Sequence, residues 1–254
     1  MIESAPVQLL GMAIIAAIVP VYLGLLLATL VRRMLPPDWE RLLLGVSTGV
    51  VVYLFFDLMH EATELTGARD LHSWLVFLLT FLVGFLGLVW CEQAPRNRLV
   101  QRPPVFLPYM VALGMGLHNL GEGLALGASY AAGQWHLSAL LIAGFALHNA
   151  TEGVGVVSAA GKTHLDGKDL LRLGAIAGLP TAMGTMLGGT NLNLYFTMAC
   201  YSLAAGALLY VTFALVAIGF TMARRMQMAV GVFGGICLMF VTAMLLTLWT
   251  GFSS

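Results

Sequence analysis

Eight stretches of this chain are each apolar for about the twenty residues that a helix needs to cross the hydrocarbon of a bilayer. They run approximately over residues 6–31, 41–60, 73–91, 105–130, 136–160, 171–189, 194–220 and 228–250. Lipid offers no water to a free N–H or C=O, so segments of this kind are stable as helices, which close their own backbone hydrogen bonds. Only 9% of the residues are charged and 59% are hydrophobic, whereas a soluble domain carries about 25% charged residues. A formal net charge of zero leaves no surplus for binding nucleic acid. The linkers are short, so residues 1–254 are expected to form a single transmembrane domain. The first stretch is too long for a signal-peptide core and no basic region precedes it, which predicts a retained span. Cys91, Cys200 and Cys237 are widely spaced in or beside apolar runs and read as small core residues, with neither a disulfide framework nor a CxxC site.

Orientation follows from the lysines and arginines. Arg32, Arg33, Arg41, Arg96, Arg98, Arg102, Lys162, Lys168, Arg172, Arg224 and Arg225 fall beside the linkers after stretches 1, 3, 5 and 7, and Arg69 alone falls on the other side. That asymmetry predicts eight spans with both termini extracytoplasmic. Pro20 and Pro180 lie deep in stretches 1 and 6, where a proline removes one backbone donor and crowds the preceding turn. Stretches 1 and 6 would open two three-helix groups of opposite orientation around a central pair. The expected fold is therefore an all-α membrane protein of eight transmembrane helices in a 3+2+3 inverted-repeat arrangement, and interrupted helices at matching places point to a transport site. Glycines four apart, such as Gly45 with Gly49, Gly123 with Gly127 and Gly184 with Gly188, predict close helix packing. The 14 methionines read as lipid-facing or core fillers.

Stretches 4 and 5 carry one polar signature twice, LHNLGEG at Leu117–Gly123 and LHNATEG at Leu147–Gly153. An offset of 30 residues relates His118 to His148, Asn119 to Asn149 and Glu122 to Glu152. Positions i and i+4 share a helix face, so each stretch turns its His and Glu the same way, with an Asn beside them. With the linker centred near Gly133, each histidine lies 15 residues from it. That is roughly 22 Å along each helix, which puts both histidines near the bilayer midplane, with the glutamates about 6 Å to either side. Ionisable groups cost roughly 2.5–3.5 kcal/mol each at that depth. Stretches 1, 3, 6, 7 and 8 have none in their interiors, so the duplicated His and Glu require a reason. Neutral imidazole and carboxylate suit a divalent cation such as Zn²⁺, Fe²⁺ or Mn²⁺.

A second cluster, Asp57, His60, Glu61 and Glu64, forms one helical stripe where the second stretch leaves the membrane, a candidate entrance for cations. His72, His136 and His164 lie in linkers and read as solvated. Gly155–Thr163 approaches a phosphate-binding loop but has one residue too many between its glycines and no strand before it, so no nucleotide is expected there. No HExxH occurs, and Ser158 lacks the surroundings of a serine nucleophile.

The paired HNxxEG signatures resemble those of the ZIP family, the Zrt/Irt-like divalent metal-ion transporters, in its prokaryotic form. LMHEA after the second stretch, AGLPTAMG in the sixth and SLAAGALLYV in the seventh also resemble family patterns. The resemblance implies a metal site at His118, Asn119, Glu122, His148, Asn149 and Glu152. It also implies uptake into the cytoplasm across a prokaryotic inner membrane, elevator-like movement of helices 1, 4, 5 and 6, and a homodimer. The metal is substrate, and no prosthetic group is implied. Three departures stand out: Gly121 and Thr151 replace the motif prolines, Thr181 stands where many members have a second-site Glu, and residues 92–104 contain no His. A second metal site is thus short of one carboxylate.

Two functions remain open at this point. In the first, the chain transports a divalent metal, zinc foremost, with iron, manganese and cadmium as alternatives. In the second, the same ligands hold a catalytic zinc in a membrane-embedded metal-dependent hydrolase. The second needs a general base outside the ligand set, and Asp57 and Glu61 are expected to lie nearer the membrane surface than the site.

Overall fold

A computed structural model describes residues 5–34, 36–67, 70–93, 105–190, 192–221 and 225–252. Among them every regular element is helical. The first rod consists of α1 (Ala5–Ala13), a π-helical turn (Ile14–Ile18) and α2 (Val19–Met34). There follow α3 (Pro37–Thr66), α4 (Leu71–Gln93), α5 (Phe106–Ala131), α6 (Trp135–Ser158), α7 (Gly167–Gly188), α8 (Leu194–Thr221) and α9 (Arg225–Phe252). Each expected stretch therefore corresponds to one helical rod. Seven rods are long and apolar enough to cross a membrane. The exception is α5, whose glycines, His118, Asn119 and Glu122 dilute its apolar content. The chain is an all-helical integral membrane protein.

Two differences from the sequence reading affect the site. The second rod runs on to Thr66, so the whole Asp57–Glu64 stripe is helical and occupies the final turns of α3. Tertiary contact explains the extension: Ala62 and Thr66 are buried, and the Thr66 hydroxyl donates to Ala62 O at 2.8 Å and to Met198 Sδ of α8 at 3.2 Å. The disruption expected at Pro20 takes the form of the π-helical turn just before it, whereas α7 runs through Pro180 without a break. The cysteines are not core residues, since Cys91 is exposed and Cys200 and Cys237 are half-buried. Arg69, Arg96, Arg98, Arg102 and Arg224 lie outside the described residues.

Local chemistry sets the helix ends and satisfies hydroxyls within the rods. Asp166 caps α7, accepting from Asp169 N at 2.7 Å, while Asp169 accepts in return from Asp166 N. Asp70 does the same at α4, accepting from the hydroxyl and N–H of Ser73. These bonds favour the ionised form and hold both carboxyls below the usual range. What they contribute to helix starts is present above the ordinary carboxylate pKa and is lost as pH falls through the lowered one. Inside the rods, Thr29, Thr48, Thr185, Ser202 and Thr212 each donate to the carbonyl four residues earlier.

The closest helix pairs are α5 with α7, α2 with α6, α3 with α9, and α4 with α8, and α3 also packs on α8. Glycine permits this proximity. A Cβ on Gly123 would collide with the Thr181 carbonyl and sit 2.9 Å from Gly184 Cα. A Cβ on Gly184 would strike the Leu120 carbonyl of α5 in turn. Gly184→Leu should therefore lower thermal stability in detergent by about 1–3 kcal/mol. Gly234→Leu, at a glycine with open space around it, should change it by less than about 0.5 kcal/mol. Equal melting temperatures for the two variants would contradict this packing.

Candidate functional site

The repeated motif places six polar side chains between α5 and α6, and all six are buried. On α5, His118 Nε2 lies 3.1 Å from Glu122 Oε1, one turn away on the same face. From α6, His148 Nε2 bonds that same Glu122 oxygen. The two imidazole centroids are 6.2 Å apart, in keeping with the equal depth expected from their equal distance to Gly133. The other Glu122 oxygen accepts from Asn149 Nδ2 at 3.1 Å. Glu152 is fully buried: its Oε2 accepts from Asn119 Nδ2 at 3.0 Å, and its Oε1 lies 3.7 Å from His118 Nε2.

These six residues do not contribute alike. His118, Glu122 and His148 each offer a ligand atom within 4.8 Å of the others. The same three line a cavity of about 290 Å³ that also reaches Asp57 and Glu61 of α3 and Tyr201 of α8. Glu152, Asn119 and Asn149 lie behind this layer. Nδ1 of both histidines, Oδ1 of both asparagines, Glu152 Oε1 and Thr181 Oγ1 are buried without a hydrogen-bond partner among the described residues. A carboxylate only accepts, so each imidazole facing Glu122 presents an N–H. A divalent cation bound there would replace those protons and use the neutral nitrogen lone pairs. Two imidazoles and one carboxylate are a ligand set common for zinc.

The candidate entrance stripe divides. Asp57 and Glu61 face the central cavity, while His60 and Glu64 pair with each other at 3.4 Å on an exposed face. Asp57 and Glu61 thus share a cavity wall with His118, Glu122 and His148, on a helix that packs against α6. His72 and His136 lie in the first turns of α4 and α6 and not in linkers, and the His72 ring packs edge-on to Tyr195. Two partners of the site were missed in the sequence, the carbonyl oxygens of Ala16 and Ala177. They accept from Asn149 Nδ2 at 3.1 Å and from Asn119 Nδ2 at 3.0 Å. The signal was present in Pro20 and Pro180, four and three residues further on.

An integral membrane protein with a buried His–Glu–His group facing a cavity is the class that fold and site define. No family model matches the chain. A candidate zinc transporter of Arabidopsis thaliana is 25% identical over 192 residues, which is 71% of this chain and 30% of that protein. The chain thus spans less than a third of the length of the relative it matches.

Thr181 tests whether the second part of the cluster takes a ligand. Its hydroxyl is fully buried and unpartnered, so Thr181→Val, close in volume, should leave stability unchanged or raise it by about 1 kcal/mol. The measurement is thermal unfolding in detergent with and without Zn²⁺. Loss of the zinc-dependent rise in this variant would make Thr181 a ligand.

Proposed function

We propose that this protein transports a divalent metal ion, zinc foremost, across a membrane into the cytoplasm, as a ZIP-type carrier of the prokaryotic inner membrane. The observation that carries the reading is the convergence of His118 and His148 on one oxygen of Glu122 at the wall of a cavity. The likeness to the candidate zinc transporter of Arabidopsis supports it. In this reading the hydrated ion meets Asp57 and Glu61, loses water, and is held by His118, Glu122, His148 and Glu152 with help from Asn119 and Asn149.

The 3+2+3 inverted arrangement of eight spans is supported by the pairing of rods. Exchanging rod 1 with 6, 2 with 7, 3 with 8 and 4 with 5 turns the α2–α6 contact into α7–α5, and α3–α9 into α8–α4. Orientation with both termini outside the cytoplasm is supported by Arg32, Arg33 and Lys162, which line one cavity at the bundle end away from the Gly133 linker. A single transmembrane domain, an elevator-like shift of rods 1, 4, 5 and 6, and a homodimer complete the proposal.

The membrane-embedded hydrolase keeps one favourable observation, since Asp57 and Glu61 line the cavity where a general base would be needed. Flux separates the two readings. Wild-type protein in proteoliposomes should accumulate Zn²⁺, and His118→Ala, Glu122→Ala and Glu152→Ala should each reduce uptake by on the order of 10–100-fold or more. Metal binding without flux, together with turnover of a lipid or peptide, would favour the hydrolase. Bound metal competes with protons for the imidazoles, so uptake should weaken on acidification. Uptake that does not weaken as the medium is acidified would remove the histidines from the ligand set.

A further inference from the structure

We infer that Asn119 and Asn149 are positioning residues, each bracing one site carboxylate against a backbone carbonyl beside a proline in the neighbouring rod. The inference rests on the metal-site reading and adds a device to it. Asn149 spends both amide hydrogens, one on Ala16 O at 3.1 Å and one on Glu122 Oε2 at 3.1 Å. Asn119 repeats the pattern from the other helix, with Ala177 O at 3.0 Å and Glu152 Oε2 at 3.0 Å. Both asparagines are fully buried. A carbonyl can only accept, so the amide nitrogen, and not the amide oxygen, must face Ala16 and Ala177.

The prolines supply the anchors. In an unbroken helix the Ala16 carbonyl would take the N–H of residue 20, but Pro20 has none. Asn149 occupies the acceptor this leaves open, next to the π-helical turn Ile14–Ile18. At Pro180 the carbonyl four residues earlier belongs to Ile176, and Asn119 uses the adjacent one, Ala177, through a carbonyl's second lone pair. The two anchors are therefore unequal, and the Pro20 anchor is the one for which a restored N–H would compete.

Each brace leaves one carboxylate oxygen free to face the imidazoles. With Oε2 tied, Glu122 presents Oε1 to both His118 and His148, and Glu152 turns Oε1 toward His118. Each brace also ties three rods. Asn149 joins α6, α5 and the π-helical turn, and Asn119 joins α5, α6 and α7. Ligand orientation and the cohesion of these four rods thus depend on the same four hydrogen bonds.

The test uses the full chain in detergent, titrated with Co²⁺, whose visible absorption reports ligand geometry, alongside thermal unfolding without metal. Asn149→Ala should weaken Co²⁺ binding by about 10–100-fold, the range for groups that orient metal ligands, and alter the spectrum. Pro20→Ala should weaken binding by about 10-fold, at the lower end of that range, while metal-free stability holds or rises. A packing role alone would move affinity and stability together. Pro180→Ala should weaken binding less than Pro20→Ala. Wild-type affinity and spectrum in Pro20→Ala, with binding lost in His118→Ala, would overturn the brace and leave the metal site standing. Wild-type binding in His118→Ala would overturn both. Should Asn149→Ala not fold, Pro20→Ala decides alone.

Discussion

Glu122 is the point on which the structure turns. A carboxylate in an apolar bundle is tolerated only when its lone pairs are matched by donors. Here two imidazoles share one oxygen and an asparagine amide takes the other. Those donors come from two helices, so the requirement cannot be met within α5 alone. It holds α5 and α6 antiparallel at one register, and it places both histidines on the wall of the same cavity. The same constraint explains why every rod other than α3, α5 and α6 avoids ionisable groups in its interior.

Packing and chemistry are linked through small residues. Gly123 and Gly184 bring α5 and α7 to backbone contact, and Gly24 with Gly153 does so for α2 and α6. Only at that separation can a side chain as short as asparagine span from one helix to the carbonyls of the next. A larger residue on these faces would act on the site without touching a ligand. Pro20 belongs to the same design, because the carbonyl it releases in the wall of the cluster becomes an acceptor for a buried amide, where otherwise it would be an uncompensated cost.

Much of the site was legible beforehand. The repeat at an offset of 30 residues named the six polar residues, and helical rise placed His118 and His148 at one depth, because both quantities depend only on regular geometry. The Asp57 stripe was only half legible. Spacing put four residues on one face, but only the neighbours of α3 decided that Asp57 and Glu61 face the cavity while His60 and Glu64 pair outside it. Thr181 was singled out as a missing carboxylate, and the fold shows it as a buried hydroxyl without a partner among the described residues.

Sequence alone determined the helices, their number and approximate bounds, and which side chains share a face, since hydrophobic length and a period of about 3.6 residues are local properties. It also marked Pro20 and Pro180 as interruptions. Tertiary structure alone decided which carbonyls near those prolines accept from the asparagines, that α3 continues to Thr66, and that Glu152 lies behind the cavity wall while Glu122 lines it. These outcomes depend on the distance and rotation between helices. They are set by contacts across the bundle that no single segment contains.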